Sequence, residues 1–202
     1  MAYLTLWIRP LVTYLGASLV ILLPLTQGQF SPTITLLLYG LAVIVVLSYG
    51  SDCVQPDLQD GHLAWLLSHR TSPFSYFFKN LINSIGRIVL PLTLGFASLH
   101  LFIYSISEVM VIAFSFFMTC TALLCWGLIL TLTQGPFPGQ SLLGIMLAPL
   151  AIPNLLIAES LISTIAVGGE ASYYLGMQLG MMLVSFGLSI CLAPLVIRNL
   201  DW

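Results

Sequence analysis

The sequence predicts an all-α polytopic membrane protein with about six transmembrane helices, and composition and charge spacing carry this prediction. Hydrophobic residues fill 59% of the 202 positions, charged residues fill only 6%, and the mean hydropathy is +1.06. In soluble domains about 25% of residues are charged, so this composition is typical of a chain solvated by lipid. Continuous apolar runs such as LLLYGLAVIVVL favour helices over the alternating strands of a membrane barrel.

Six apolar segments appear when the charge-free stretches are divided at their Gly, Pro and polar breaks. A helix needs about 20 apolar residues to cross the hydrocarbon core of a bilayer, and the first two segments are the shortest. The predicted spans are residues 11–25, 34–49, 88–106, 109–132, 142–163 and 174–196.

Every basic residue falls on one side of this predicted topology. Lys and Arg are enriched in the loops that stay on the cytoplasmic side of a membrane. Both termini are therefore predicted to face the cytoplasm or, in an organelle, the matrix, and we name that side the inner side. The basic residues are Arg9 before the first span, Arg70, Lys79 and Arg87 between the second and third spans, and Arg198 after the sixth.

A polar stretch with the sequence QPDLQDGHLAWLLSHRTSP, residues 55–73, interrupts the apolar sequence between the second and third spans. Leu63, Leu66 and Leu67 fall on one stripe of a short amphipathic helix. Asp57 or Asp60 is placed to cap the start of that helix through its free backbone amides. We predict an amphipathic helix on the inner side.

A second helix is predicted to start at Ser72 and Pro73, because Ser is a good N-cap and Pro fits the first helical turn. The apolar residues that follow recur at helical spacing, which predicts an interfacial helix that turns into the third span. Residues 51–87 would then form one inward-facing coupling segment. The alternative is a plain connecting loop that rests against the lipid headgroups.

The fifth predicted span contains two prolines one turn apart. Pro149 and Pro153 each lack a backbone donor, and Asn154 follows, so this helix is predicted to be kinked, broken or re-entrant. Glu159 lies further along the same span. The kink is either structural, with Glu159 among the outer headgroups, or it forms a gate or lateral exit for an amphiphilic cargo.

Two further features inside the spans are candidate functional elements. His100 is ionisable and lies at membrane depth, where such groups are costly. A neutral imidazole could ligate heme iron, but a hydrogen bond to a neighbouring helix is commoner, and we predict that His100 is not a heme ligand. Gly176 and Gly180 have GxxxG spacing and Gly187 follows, which favours close helix packing within the chain or at a dimer seam.

Sequence motifs for catalysis are absent from the full chain. It contains no GxxxxGK[ST] phosphate loop, no GxSxG nucleophile turn, no HExxH and no Cys or His spacing typical of a metal site. The chain is therefore predicted not to be an enzyme and to hold no metal. If ATP is used, a separate chain must bind it.

The polar stretch resembles the inner-face coupling segment of ABC-2-type permeases. More narrowly, DLQDG with LAWLL, the later stretch RIVLPLTL and the stretch LAPLAIPNLLIAES are similar to heme exporter protein B, the permease-type subunit of the cytochrome c maturation system. The resemblance implies a single permease domain over residues 1–202 and a docking surface for a separate ATP-binding subunit. The docking residues would be Asp57, Gln59, Asp60, Gly61, Leu63, Leu66 and Leu67.

The resemblance also implies a biological setting. The chain would export heme, or would use ATP hydrolysis to free a heme-loaded chaperone, in a bacterial inner membrane or a mitochondrial inner membrane. Implied partners are the ATP-binding subunit, a multi-span heme-handling subunit, the heme chaperone, and a second permease in a homodimer or heterodimer. Heme would be cargo rather than a tightly bound cofactor, and nucleic acid is not an expected partner.

Two other functions are compatible with the sequence. The first is a non-transporting membrane scaffold that recruits assembly factors through its inner face. The second is an ion-coupled secondary transporter, which normally has broken helices in both halves and ionisable pairs near the midplane. Because only the fifth span has a predicted break and no such pair occurs, the second function ranks below the scaffold.

Overall fold

A computed structural model shows the protein as a set of apolar helices. The structure describes residues 2–22, 32–69, 72–135 and 140–199, with side chains for all of these except 2–7, 51 and 140–148. No β-strand occurs within these ranges, so the all-α prediction is confirmed there. The helices are α1 (Ala2–Leu22), α2 (Pro32–Gly50), α3 (Gln55–Gln59), α4 (His62–Ser68), α5 (Pro73–Ser84), α6 (Leu90–His100), α7 (Ile106–Gln134), α8 (Gln140–Ala166) and α9 (Ser172–Arg198).

Five helical segments of the described chain are long and apolar enough to cross a membrane, which is compatible with a multi-pass protein. They are Pro32–Gln59, Pro73–His100, Ile106–Gln134, Pro149–Ala166 and Ser172–Arg198. The first predicted span falls on α1, and the part of α1 with described side chains, Ile8–Leu22, is apolar but shorter than these five. Residues 23–25 of that prediction lie outside the described residues. A total of six spans therefore stays a prediction.

Helix α7 lies at the centre of the bundle and packs against α2, α6, α8 and α9. A capping box starts it: the Ser105 backbone N–H donates to Glu108 Oε2 at 2.8 Å, and the Glu108 N–H donates to Ser105 Oγ at 3.4 Å. This arrangement satisfies two amides that a helix start leaves open. Gly135, at φ 67°, ends the helix where other residues would be strained.

The third predicted span begins earlier and ends earlier than the sequence suggested. Helix α5 continues through a π-helical turn, Ile85–Val89, into α6, so the predicted interfacial helix and third span form one helical run that ends at His100 rather than at residue 106. Pro91 lies just after the π-turn, where its ring would clash with a carbonyl in a regular helix. The Leu90 N–H instead reaches back to the Ile85 carbonyl. The predicted cap at Ser72 is confirmed, since its Oγ accepts the Ser75 N–H at 3.1 Å.

Helix α8 runs through both of its prolines without a break, so the predicted interruption and re-entrant turn are wrong. The Asn154 side-chain amide donates to the Leu150 carbonyl at 3.0 Å. Pro153 has no N–H and donates no backbone hydrogen bond in this turn of the helix. The Asn154 side chain supplies an additional donor there. A bend of α8 at Pro149 or Pro153 stays a prediction.

Candidate functional site

The predicted coupling segment folds as an elbow, which we define as α3, α4 and the link between them, Asp60 and Gly61. Gly61 has φ 67° and precedes α4 in the left-handed region, where glycine is favoured. No side chain makes a capping hydrogen bond at the start of α4. The predicted capping by Asp57 or Asp60 is therefore wrong, because the turn at Gly61 starts the helix instead.

The elbow is seated on the helical bundle by apolar and polar contacts. Leu58 and Leu63 are 3% and 0% exposed and belong to the main hydrophobic core. The Tyr76 hydroxyl of α5 donates to Asp57 Oδ2 at 2.8 Å, a charge-assisted bond of the stronger kind. The elbow is thus fixed to the helix that leads into the next membrane span.

The predicted docking residues divide into two groups. Leu63 is buried, and Leu66 and Leu67 are half-buried against the core, so the leucine stripe faces the bundle. Asp57 is half-buried beneath Tyr76. Gly61 is half-buried, and Gln59 and Asp60 are exposed. Only the last two lie where a partner protein could contact them fully.

Sequence reasoning missed the exposed side of α4. The Trp65 side chain is 54% exposed, and its ring lies 5.8 Å from the ring of His62 and 4.3 Å from that of His69. His69 Nδ1 is also 2.8 Å from the Trp65 carbonyl oxygen, which fixes the stack. The spacing 62, 65, 69 is helical and visible in the sequence, but the predicted docking residues include none of these three positions. We name Gln59, Asp60, His62, Trp65 and His69 the docking face.

Replacing Gly61 tests whether the elbow depends on its backbone conformation. Gly61→Ala is expected to lower the free energy of unfolding by about 1 kcal/mol, because φ 67° disfavours a Cβ. An added Cβ would meet nothing within 4 Å, so the loss reports strain and not a clash. Thermal unfolding of the purified protein measures it.

Two matched variants sharpen this measurement. Gly61→Asn is expected to cost less than Gly61→Ala, because Asn tolerates the left-handed region. Gly16→Ala, in α1 and also with open space around it, is expected to be neutral or stabilising. Equal stabilities of Gly61→Ala and Gly61→Asn would contradict the assigned conformation.

A cavity of about 320 Å³ that is lined by both charged and apolar residues lies beside the elbow. Arg9, Asp52, Asp57 and Arg87 bring both signs of charge to its wall. Arg87 belongs to the π-turn, and such turns are frequent at functional sites. Tyr49 also lines the cavity, and its hydroxyl lies 2.9 Å from Thr13 Oγ1 of α1. We name this space the elbow cavity.

A larger apolar groove of about 700 Å³ lies along α2, α8 and the end of α1. Its wall includes Leu36, Gly40, Ile44, Ile152 and Leu155. Among the described residues of its lining, only Thr33 and Ser48, near the two ends of α2, have polar side chains. Fifteen residues separate these two along α2, which at 1.5 Å per residue is a length of about 22 Å. The groove therefore suits a long apolar or amphiphilic molecule.

The gate candidates on α8 do not converge. Asn154 is 3% exposed and points into the bundle, whereas Pro149, Pro153 and Glu159 are exposed. None of these four lines the apolar groove, although their neighbours Ala151, Ile152 and Leu155 do. The groove is thus formed by the segment around Pro153 and not by the predicted polar residues themselves.

His100 is fully buried at the end of α6. Its Nδ1 lies 2.8 Å from the Phe96 carbonyl oxygen of its own helix, and its ring lies 4.1 Å from that of Phe96 and 6.2 Å from that of Tyr104. Nε2 has no hydrogen-bond partner among the described residues. The expected bond to a neighbouring helix is therefore replaced by one within the helix. That His100 is not a heme ligand stays a prediction.

A buried hydrogen-bond cluster joins α2, α7 and α9, and sequence reasoning missed it. The Tyr39 hydroxyl donates to Thr119 Oγ1 at 2.7 Å, lies 3.4 Å from Ser115 Oγ, and accepts from Gln178 Nε2 at 3.4 Å. All four side chains are buried. The available signal was the occurrence of Thr and Gln inside apolar spans, where interhelical hydrogen bonds satisfy them.

The glycines of α9 face away from the rest of the chain. Gly176, Gly180 and Gly187 are exposed, and an added Cβ on any of them would meet nothing within 4 Å. Gln178 lies between the first two and faces the core, because residues two apart on a helix point to opposite sides. Close packing of these glycines within the described chain is therefore wrong. A dimer seam stays a prediction.

The described residues contain no group of three or more His, Cys, Asp or Glu side chains that could hold a metal ion. No protein-family model matches the chain, and no curated protein matches it. The resemblance to heme exporter protein B therefore rests on the sequence motifs alone.

Proposed function

We propose that this chain is the membrane permease subunit of an ATP-driven, ABC transporter-type complex in cytochrome c biogenesis. The observation that supports this most is the elbow, which is anchored in the core by Leu63 and carries a polar and aromatic docking face. Trp is enriched among the residues that contribute most of the binding energy of an interface, where the partner buries its side chain. A separate ATP-binding subunit is the proposed occupant of this face.

The elbow is placed to pass a partner's movement to the membrane helices. Asp57 is bonded to Tyr76 of α5, and α5 continues through the π-turn into α6. Helix α5 also packs on α9 and α7. Displacement of the elbow would therefore shift a helix that runs directly into a span, which is the role proposed for a coupling segment.

The cargo is proposed to be heme, or another amphiphile of similar shape. The apolar groove along α2 and α8 offers a lipid-side path for such a molecule, and a bend at Pro149 or Pro153 would change its width. The same mechanical coupling could instead free a heme-loaded chaperone at the opposite end of the bundle. A multi-span heme-handling subunit and a second permease complete the proposed assembly.

Charge reversal on the docking face tests this proposal. Asp60→Lys is expected to lower the recovery of an ATP-binding subunit by about tenfold when the tagged chain is purified gently from its native membrane, because like charges across an interface oppose binding. Photolabelling of the co-purified chain with 8-azido-ATP and native mass spectrometry identify the subunit and its ratio. Glu170→Lys is the matched control, since Glu170 is exposed in the connection before α9.

The outcomes separate the candidate functions. Unchanged capture by Asp60→Lys would contradict the docking assignment. Purification of the unsubstituted chain without any nucleotide-labelled subunit would contradict the permease proposal. If the subunit is captured but its rate of ATP hydrolysis is the same with and without this chain, the non-transporting scaffold is favoured. Heme transport that needs an ion gradient and no ATP would favour the secondary transporter.

A further inference from the structure

The elbow cavity collects charged side chains of both signs from four separate parts of the chain. Arg9 comes from α1, Asp52 from the 3₁₀ turn Ser51–Cys53, Asp57 from α3 and Arg87 from the π-turn. Arg9 and Arg87 are far in sequence from the two aspartates, so only the fold brings the four residues together. Arg9 and Asp52 are close enough to interact electrostatically.

Parts of the cavity wall are held in place by hydrogen bonds. Tyr76 donates to Asp57 Oδ2 at 2.8 Å and so fixes that carboxylate. The Tyr49 hydroxyl and Thr13 Oγ1, 2.9 Å apart, join α2 to α1 at the same level. Arg87 is half-buried, and its position depends on the extra residue that the π-turn accommodates. Such support orients charged groups before any ligand arrives.

We propose that the elbow cavity binds a phosphate ester that carries a primary ammonium group, as in the headgroup of phosphatidylethanolamine. The guanidinium groups of Arg9 and Arg87 match a phosphate, to which arginine donates paired hydrogen bonds. The carboxylates of Asp52 and Asp57 match an ammonium group with N–H donors. A purely anionic ligand would place negative charge against the two carboxylates. A purely cationic ligand would place positive charge against the two arginines.

The volume and position of the cavity fit the headgroup of a lipid. A space of about 320 Å³ is near the lower end of the range of about 300–1,000 Å³ for small-molecule sites. It therefore holds a headgroup but not two acyl chains. Tyr49 and Ile88 line it at the points where long apolar helical runs meet charged residues, which is the depth at which headgroups lie.

A choice between three lipids with identical acyl chains tests the proposal. The purified chain is incubated in detergent with phosphatidylethanolamine, phosphatidylcholine and phosphatidylglycerol, and bound lipid is counted by native mass spectrometry. Phosphatidylethanolamine is expected to be retained about tenfold better than either of the others, the factor that one charge-assisted hydrogen bond supplies. Phosphatidylcholine has a quaternary ammonium group without N–H donors, and phosphatidylglycerol has no ammonium group.

Variants assign the retained lipid to this cavity. Arg87→Gln is expected to lower the retention of all three lipids, because they share the phosphate, and Asp52→Asn is expected to abolish the preference for phosphatidylethanolamine. Arg198→Gln and Glu170→Gln, which change exposed charges outside the cavity, are expected to keep it. Circular dichroism checks that each variant remains helical, and Arg9→Gln, at an exposed position, is a second cavity variant if Arg87→Gln does not fold.

Competition with soluble O-phosphoethanolamine distinguishes two sources of the same chemistry. Displacement of the lipid only by other phosphatidylethanolamine assigns the site to the membrane, whereas displacement by millimolar O-phosphoethanolamine shows that the headgroup alone suffices. Equal retention of the three lipids, a preference that survives Asp52→Asn, or retention that is unchanged by Arg87→Gln would overturn the proposal. These results do not depend on whether an ATP-binding subunit docks on the elbow.

Discussion

Phe96→Ala is expected to lower the free energy of unfolding by about 3 kcal/mol, because it removes one ring of a buried aromatic cluster in the membrane part of the bundle. The Phe96 side chain is fully buried, and its ring lies 4.5 Å from that of Phe116 and 5.8 Å from that of Tyr39. These rings join α6, α7 and α2. Unfolding of the purified protein by a denaturing detergent, followed by circular dichroism, measures the change.

The magnitude follows from packing and not from transfer out of water. In a membrane the unfolded helix keeps its side chains in lipid or detergent, so helix association depends on close packing. Removing the ring empties a space on the order of 100 Å³, which at about 24 cal/mol per Å³ costs about 2.4 kcal/mol. Lost aromatic contacts add about 0.5–1.5 kcal/mol.

Phe102→Ala is the matched control, because it removes the same ring from a side chain that is 91% exposed. Its free energy of unfolding is expected to change by less than about 0.5 kcal/mol. Equal losses for the two variants would mean that the aromatic cluster does not hold the bundle together. A loss only for Phe96→Ala would confirm it as the core of the membrane region.

The sequence predicted those features that depend on local chemistry. Apolar length predicted the helical spans, and Ser72 followed by Pro73 predicted a helix start that the structure confirms. The spacing of Leu63, Leu66 and Leu67 correctly predicted one apolar stripe on a short helix. Such features are encoded within one or two turns of the chain.

Other features depend on contacts between distant segments and were not predictable in this way. Periodicity identifies an apolar stripe but not what covers it, and only the fold shows that the leucines of α4 pack against the bundle. Similarly, the hydrogen bonds of Tyr39 join residues 76 or more positions apart. The elbow cavity needs three separate stretches of the chain, residues 9–10, 49–57 and 87–88, to meet. No local pattern contains that information.

The elbow gives the sharpest functional test, because Leu63 and Trp65 of α4 lie on its buried side and its exposed side, respectively. Leu63 is 0% exposed and belongs to the core, whereas Trp65, two positions later, is 54% exposed. Leu63→Ala is expected to lower the free energy of unfolding by about 2–5 kcal/mol. Trp65→Ala is expected to change it by less than about 0.5 kcal/mol.

Capture of the proposed ATP-binding subunit is expected to respond to these two substitutions differently from stability. Trp65→Ala is expected to reduce capture of the subunit at least tenfold, since a Trp at the centre of an interface commonly contributes about 2 kcal/mol or more. Leu63→Ala is expected to reduce capture as well, but only because the docking face loses its support. Leu94→Ala, at a leucine that is 71% exposed in α6, is expected to leave both stability and capture unchanged.

The pair of variants therefore distinguishes a docking surface from a purely structural elbow. Normal capture by Trp65→Ala together with lost capture by Leu63→Ala would show that the partner binds elsewhere and that the elbow matters only for folding. If Trp65→Ala instead destabilises the protein in bilayers but not in detergent, the indole is anchored among lipid headgroups. Reduced capture at full stability is the one result that follows from a partner seated on the docking face.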